Sequence, residues 1–181
     1  MLREEAITLL KEKLKSRNLY KHCLATEACL KSLARHFGED EETWGLAGLL
    51  HDIDYEETEG EPQRHGLVGA EILKDRGVSE SIIYAIKVHA GHLPPNSKLD
   101  WALFATDPLT GLIVASALMH PDKKLKSLDT DFVLRRFKEK RFAAGANREQ
   151  ISACKNLGLE LADFIKICLT GMQSISEDLG L

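Results

Sequence analysis

Residues 44–57, WGLAGLLHDIDYEE, begin as a helix that is apolar on almost every face and end in a histidine–aspartate pair, His51 and Asp52. A segment that is apolar all round belongs in a protein core. The pair therefore lies at the edge of the core, directly before a strongly acidic segment. Two adjacent side chains reach the same point only where the helix ends or unwinds. We predict that His51 and Asp52 belong to a functional site.

Outside this segment, apolar residues recur with a period of about 3.6 along nearly the whole chain, and no run of alternating β-branched residues occurs. This pattern predicts an all-α protein. A chain of 181 residues that is 44% hydrophobic suits about one domain, residues 1–181. The predicted helices cover residues 2–16, 19–37, 40–52, 64–76, 80–90, 98–119, 130–139, 148–157 and 159–177.

The sequence also bears on cellular location. It has no run of ~18 uninterrupted apolar residues of the kind that spans a membrane. The first helix, MLREEAITLLKEKLKS, is amphipathic and lacks the apolar centre of a signal peptide. We therefore expect a cytoplasmic protein without a membrane partner. The cysteines lack metal-binding spacing and are predicted to be buried free thiols. They are Cys23, Cys29, Cys154 and Cys168.

Three histidines are predicted to point inward from three different helices. His22 lies on the apolar stripe of the second predicted helix, His51 ends an apolar segment, and His89 continues the stripe of Ile82 and Ile86. A single inward histidine is usually a structural residue of the core. Three that converge need a common partner, and a metal ion is the simplest candidate.

Two aspartates complete this group. Asp52 follows His51 directly, and Asp107 is the only charged residue in the apolar segment LFATDPLTGLIVASALM. Burying an unpaired carboxylate is costly, so Asp107 is expected to be ionised beside a cation or a set of hydrogen-bond donors. As an alternative, Asp107 caps a helix that begins at Pro108.

In this order, His22, the His51–Asp52 pair and Asp107 resemble the signature of the HD superfamily of metal-dependent phosphohydrolases. The resemblance covers about residues 18–119. His65, which opens HGLVGAEIL, and His89, which ends SIIYAIKVH, make the chain similar to the two-metal bacterial branch that includes dinucleoside polyphosphate hydrolases. The resemblance implies a compact HD-domain helical bundle, extended by C-terminal helices over about residues 120–181.

The resemblance also implies a ligand set for two divalent transition-metal ions, which are iron, manganese, zinc or cobalt. Asp52 would bridge the two ions. The first ion would be held by His22, His51, Asp52 and Asp107, and the second by Asp52, His65 and His89.

The implied function is hydrolysis of a phosphate ester or anhydride of a small substrate by a metal-activated hydroxide, with Asp52 at the centre of catalysis. Nucleotides are the leading substrate class. Two alternatives remain open on the same residues. One is a di-iron oxygenase, and the other is a metal-binding sensor without turnover.

The chain departs from many relatives after the HD pair. It continues IDYEETEGE where they have a small residue and then lysine, so one expected phosphate ligand is missing. The basic segment RRFKEKRFAAGANREQI offers replacements, because guanidinium groups match phosphate geometry. These candidates for substrate binding are Arg136, Lys140, Arg141 and Arg148. An ordinary basic surface helix is the alternative.

Other features of the sequence bear on catalysis and partners. His92, just past Gly91, is a candidate proton donor to the leaving group, with a solvent-facing loop histidine as the alternative. Nucleic acid is not expected as a partner, because the net charge is −4 and the basic segment lacks interleaved exposed aromatic residues. The C-terminal helix LELADFIKICLTGMQSI is expected to pack in the core or across a homodimer interface.

Overall fold

Ten α-helices and two short 3₁₀ helices form the regular structure of this computed structural model, which describes residues 1–181 and contains no β-strand. The all-α prediction is confirmed. The α-helices are α1 (Arg3–Lys13), α2 (Arg17–Phe37), α3 (Glu41–Leu50), α4 (Leu67–Asp75), α5 (Glu80–His89), α6 (Lys98–Met119), α7 (Thr130–Lys138), α8 (Arg148–Ser152), α9 (Leu161–Ser174) and α10 (Ser176–Leu179). The 3₁₀ helices are Leu125–Ser127 and Ala153–Leu157.

Helices α2 and α3 pack closely because Gly48 has no side chain. A Cβ atom at Gly48 would lie 2.8 Å from the backbone of Thr26 and Glu27. These neighbours are backbone atoms and not the end of a flexible side chain. A side chain at residue 48 would therefore force the backbones of α2 and α3 apart. This approach places the end of α3 against the middle of α2, and it sets the position of His51 relative to His22.

Helix α6 is the central helix of the bundle and contacts α2, α5, α7, α8 and α9. By length and apolar composition α6 could span a membrane, but 56% of its most apolar segment is buried inside the protein. Such burial is typical of a core helix. The predicted cytoplasmic location stays a prediction.

Asp107 lies within α6, and the helix continues through Pro108. The alternative in which Asp107 caps a helix beginning at Pro108 is therefore excluded. The α-helix supplies this carboxylate from the middle of the bundle.

Residues 51–66 form turns, so the helix predicted to begin at residue 64 begins only at Leu67. Helix α3 ends at Leu50, directly before the HD pair, as the sequence required. The buried carboxylate of Asp54 accepts hydrogen bonds from the backbone N–H groups of Gly66 and Gly69. It thereby supplies acceptors to the start of α4, whose first N–H groups have no partner within the helix.

The C-terminal helices are shorter than predicted. Residues 148–157 divide into α8 and a 3₁₀ helix, and residues 159–177 divide into α9 and α10 at Ile175. A continuous cluster of buried apolar side chains nevertheless extends from Ala6 in α1 to Leu179 in α10. All four cysteines lie in this cluster as free thiols, which confirms that prediction.

The close approach at Gly48 predicts a loss of stability when a side chain is added. Gly48→Ala is expected to lower the free energy of unfolding by about 1–3 kcal/mol, because the backbones of α2 and α3 must separate. Urea denaturation measures the change. Gly111→Ala is the matched control, since Gly111 is also helical and a Cβ there meets no atom within 4 Å. That variant should gain about 0.5–1 kcal/mol. Equal unfolding midpoints for the two variants would contradict the prediction.

Candidate metal centre

Four donor atoms converge where α2, the end of α3 and α6 meet. His22 Nε2 lies 3.1 Å from His51 Nε2 and 3.0 Å from Asp107 Oδ1. Asp52 Oδ2 lies 3.4 Å from both imidazole nitrogens. Two ligands that are each ~2.1 Å from one ion, at roughly 90–109° to each other, lie roughly 3.0–3.4 Å apart. The distances in this first group are therefore those between neighbouring ligands of a single ion.

A second group of donor atoms lies on the other side of Asp52. His65 Nε2 and His89 Nε2 are 3.2 Å apart, and they lie 3.3 Å and 3.4 Å from Asp52 Oδ1. Asp52 thus directs Oδ2 to the first group and Oδ1 to the second. The structure brings together all six residues predicted as metal ligands, and it orients Asp52 as a bridge between the two groups.

Each of the four imidazoles hydrogen-bonds through Nδ1, which leaves Nε2 for the centre. His51 Nδ1 donates to the carbonyl of Gly48 at 2.8 Å, and His89 Nδ1 donates to the carbonyl of Ile86. His22 Nδ1 lies 3.0 Å from Thr110 Oγ1, whose own proton goes to the carbonyl of Asp107. His65 Nδ1 lies 3.0 Å from Asp54 Oδ1. With Nδ1 as the donor, each neutral ring directs the lone pair of Nε2 into the centre.

Lone pairs that face one another at these distances repel unless a positive charge lies between them. Burial lowers the pKa of His51, but Asp52 and Asp107 outweigh this effect and raise the pKa to about 9. Burial likewise opposes the effect of Asp52 and Asp54 on His65, whose pKa rises to about 10. The centre therefore attracts positive charge, whether it is carried by protons or by a metal ion.

The carboxylates of Asp52 and Asp107 respond in the opposite direction. Burial acts to raise the pKa of Asp52 and of Asp107, but the neighbouring histidines outweigh it and hold both pKa values well below the usual range. Both carboxylates are therefore ionised at neutral pH. Imidazole nitrogens combined with carboxylate oxygens suit iron, manganese, zinc and cobalt, so the residues fit a divalent transition metal.

Two residues that orient the histidines were not predicted from the sequence. Asp54 is fully buried and accepts from His65 Nδ1, from Gly66 N at 2.8 Å and from Gly69 N at 2.7 Å. Thr110 orients His22. Spacing in the sequence could have indicated both residues. Asp54 follows Asp52 by two positions, and Thr110 lies one helical turn after Asp107. Such partners fix the tautomer and the direction of a metal-binding imidazole.

The acidic residues that follow Asp54 make structural contacts outside the centre. Glu56 accepts from the backbone N–H groups of Lys15 and Ser16 at 2.9 Å and 2.6 Å, and it ties this turn to the α1–α2 connection. Glu57 pairs with Lys13 at 3.2 Å. These carboxylates bind the turn to the first helices and belong to neither group of converging donor atoms.

His92 lies beside the second group. Its Nε2 donates to the backbone carbonyl of His65 at 2.7 Å, and the ring is half-buried. This contact ties the segment after α5 to the turn that carries His65. The role of His92 as a proton donor stays a prediction.

The four basic residues predicted to bind phosphate contact none of the six converging side chains. Arg148 directs its guanidinium group at backbone carbonyls, including those of Ala143 and Ala146 at 2.7 Å, and this closes the loop before α8. With its donors occupied, Arg148 is a loop-closing residue and not an exposed phosphate ligand. Arg136 pairs with Glu139 at 2.9 Å.

The other two basic candidates differ from Arg148 in their surroundings. Lys140 and Arg141 are both exposed, in the segment that follows α7. Their role as substrate ligands stays a prediction.

Residues 19–120, which carry all six converging side chains, match the model of the HD domain family over more than half of the chain. The chain belongs to the HD domain family. This membership confirms the superfamily predicted from His22, the His51–Asp52 pair and Asp107. The narrower resemblance to dinucleoside polyphosphate hydrolases stays a prediction.

Curated relatives share the HD domain to different extents. An uncharacterized protein from Methanocaldococcus jannaschii is 31% identical over an alignment of length 172, which covers 90% of this chain and 98% of that protein. Ribonuclease Y from Oleidesulfovibrio alaskensis is 34% identical over 96 residues, and ribonuclease Y from Nitratidesulfovibrio vulgaris is 36% identical over 99 residues. Each ribonuclease alignment covers 53% of this chain but only 18% of the ribonuclease. No solved structure matches the chain.

The contacts of Asp54 predict its contribution to the second group. Asp54→Asn is expected to weaken metal binding by about 10–100-fold, because an amide cannot accept from both His65 and the α4 backbone as a carboxylate does. Competition with a chelator measures the affinity. Glu59→Gln is the control, since Glu59 is exposed in the same turn. Equal affinity in the two variants would contradict the role assigned to Asp54.

The raised pKa values predict the pH dependence of metal binding. Without metal, His51 and His65 hold protons at neutral pH, because their pKa values lie near 9 and 10. A metal ion must displace these protons, so its apparent affinity should rise as pH increases from about 6 to 9. Calorimetric titration in buffers of different ionisation enthalpy measures the protons released. Binding without proton release would show that the metal-free histidines are already neutral.

Proposed function

We propose that this HD domain protein is a metal-dependent phosphohydrolase that cleaves a phosphate ester or anhydride of a small substrate. The observation that carries the proposal is the carboxylate of Asp52, whose two oxygens face separate pairs of imidazoles at 3.3–3.4 Å. This arrangement fits two ions that share one bridging ligand. Membership of the HD domain family supports the same chemistry.

Two divalent ions, when bound, would polarise a phosphoryl oxygen and lower the pKa of a shared water from ~15.7 towards ~7. The protein supplies orientation and shielding from bulk water. His51 and His89 are almost fully buried, with side-chain exposures of 0% and 2%. Their backbone hydrogen bonds keep the lone pairs directed at the centre without any rearrangement during the reaction.

We expect a substrate phosphate to approach the centre from the side of Asp107 and His22. Asp107 and His22 have the most exposed side chains of the first group, at 29% and 23%. His92 lies beside the second group with Nε2 bonded to the carbonyl of His65, so Nδ1 is the atom that would carry a proton to the leaving group.

Hydrolysis of RNA is a second candidate function, favoured by the similarity to ribonuclease Y over the HD region. Cleavage of a phosphodiester would use the same ions. The net charge of −4 weighs against binding of a long polyanion, so we place small substrates first. A di-iron oxygenase and a sensor without turnover use the same ligand set. Metal analysis and oxygen consumption separate the oxygenase from a hydrolase.

The proposal is tested by chromatography of the products formed from a panel of phosphate esters and anhydrides. An oligoribonucleotide is included, and its cleavage is followed by the shortening of the chain, because breaking an internal phosphodiester releases no inorganic phosphate. Asp52→Ala is expected to lower both metal content and hydrolysis to background, because it removes the shared ligand. Asp107→Ala should lose the ion of the first group and keep that of the second. Glu59→Gln serves as the exposed control. Full hydrolysis by Asp52→Ala would refute the mechanism, and metal-loaded wild-type protein that cleaves none of these compounds would refute the function.

A further inference from the structure

Helix α6 has an outer face that is almost free of charge. Six apolar residues on this face, spaced alternately three and four positions apart, are exposed or only half-buried, and the twelve buried residues of the helix face the core. We call these six residues the outer seam: Trp101, Phe104, Pro108, Gly111, Ala115 and Leu118. The solvent-facing side of a helix is normally charged or polar. An apolar row with this spacing is typical of a face that packs against another helix.

The outer seam is long, and its C-terminal end is the most exposed. Leu118 and the neighbouring Met119 are 51% and 60% exposed. At 1.5 Å per residue, the distance from Trp101 to Leu118 is about 26 Å, which is enough to contact several turns of a second helix. Between residues 101 and 119 the only charged side chain is that of Asp107, which is directed at His22. Contiguous exposed apolar surface of this kind marks an interaction site.

The outer seam borders the metal centre. A cavity of about 440 Å³ lies between α6 and α2, with Gly111 and Leu118 on one side, His22 on another and residues 179–181 on a third. Gly111 and Leu118 belong both to the seam and to the wall of this cavity. A molecule that covers the seam therefore also lies beside the approach to the first group of donor atoms.

The side chains of the outer seam follow a pattern of sizes that is symmetric about Gly111. Large residues lie at both ends, with Trp101 and Phe104 at one and Leu118 at the other, and Gly111 and Ala115 lie between them. Two helices that cross are closest at the crossing point and diverge on either side. A second, antiparallel α6 that crosses at Gly111 would bring small residues together at the centre and large residues together at the ends. Contacts with two-fold symmetry require such a self-complementary surface.

The charges at the two ends of α6 are opposite in sign. Near the N-terminal end, Lys98 pairs with Glu39 at 3.2 Å, and residues 39–42 are all acidic. Beyond the C-terminal end, Lys123 and Lys124 are exposed. In an antiparallel pair, the acidic end of each copy faces the basic end of the other copy. The helix dipoles favour the same arrangement, because each positive N-terminus then lies near a negative C-terminus.

A membrane surface fits the outer seam less well than a second copy does. Helices that lie on a membrane carry Lys and Arg along the side opposite their apolar face. Helix α6 has no Lys or Arg from residue 99 to residue 119, and its opposite side is buried in the core. The acidic residues 39–42 at one end would also be repelled by anionic lipids.

We infer that a second copy of this chain packs on the outer seam of α6, with the two helices antiparallel and crossing near Gly111. The resulting homodimer has two-fold symmetry, an apolar centre and a pair of opposite charges at each end. Helix α9 is not its basis, because Phe164, Ile165 and Leu169 of α9 are buried within the chain. The dimer is independent of the reaction that the metal centre performs.

Sedimentation equilibrium of the metal-loaded protein tests this inference. We expect wild-type protein to have twice the chain mass of 20.2 kDa. Leu118→Glu would bury an unpaired charge in the dimer and should raise the Kd for dimerisation about tenfold or more. Leu2→Glu is the matched control, because Leu2 is 69% exposed and lies outside the seam. Its Kd should stay within about twofold of the wild-type value. Circular dichroism and metal content verify that both variants are folded.

A disulfide cross-link tests the antiparallel geometry. A residue near a two-fold axis meets its own counterpart, so Gly111→Cys should form a disulfide between two copies when oxidised by oxygen with copper phenanthroline. A Cβ at Gly111 meets no atom within 4 Å, and the four native cysteines are buried. Gly145→Cys is the control, because Gly145 is exposed, has equally open space and lies outside α6. Non-reducing electrophoresis should show the linked dimer only for Gly111→Cys.

The contrary outcomes are distinct from one another. Wild-type protein that sediments as a monomer would overturn the inference, and a monomer that binds vesicles of phosphatidylserine and phosphatidylcholine through Leu118 would assign the seam to a membrane instead. A dimer that is unaffected by Leu118→Glu would show that another surface holds the two copies together. A dimer that Gly111→Cys does not link would overturn the crossing near Gly111. None of these measurements depends on hydrolysis, so a failure of the proposed function is recognised separately.

Discussion

The carboxylate of Asp52 is the point on which the remaining structure depends. Its two oxygens face two pairs of imidazole nitrogens, and the four rings come from α2, the end of α3, the turn before α4 and the end of α5. An ionised carboxylate is costly to bury unless positive charge surrounds it. The bundle meets this requirement by ending α3 at Leu50, directly before the HD pair, so that neighbouring residues turn towards one centre.

The orientation of the rings comes from ordinary elements of helix structure. His51 and His89 each return Nδ1 to the carbonyl three residues earlier, so the end of a helix fixes the tautomer. His22 and His65 use Thr110 and Asp54 for the same purpose. Because every Nδ1 is occupied, each ring in its neutral form directs an acceptor nitrogen at the centre. A donor set of this kind favours a cation, and its nitrogen and oxygen atoms match a transition metal.

The converging residues and the cavity beside His22 draw on different parts of the chain. The six converging residues lie within the HD-matching region, residues 19–120, and support hydrolysis of a phosphate group in general. The cavity beside His22 also uses residues 179–181, which lie beyond that region.

The sequence by itself determined the helical class, because helical periodicity reports which face of each helix is buried. The same periodicity indicated His22, His51 and His89, and the cost of burying a carboxylate indicated Asp52 and Asp107. His65 was indicated only by the resemblance to the HD superfamily. The tertiary structure decided what depends on contacts between distant residues. His22 and Thr110 are 88 positions apart, and Asp54 meets Gly69 of α4, which lies 15 positions later and beyond an irregular turn. Arg148 was a candidate phosphate ligand in the sequence, but its guanidinium group donates hydrogen bonds to the loop carbonyls of Ala143 and Ala146. Periodicity carries no information on such contacts, since they follow from where helices end and how closely they pack.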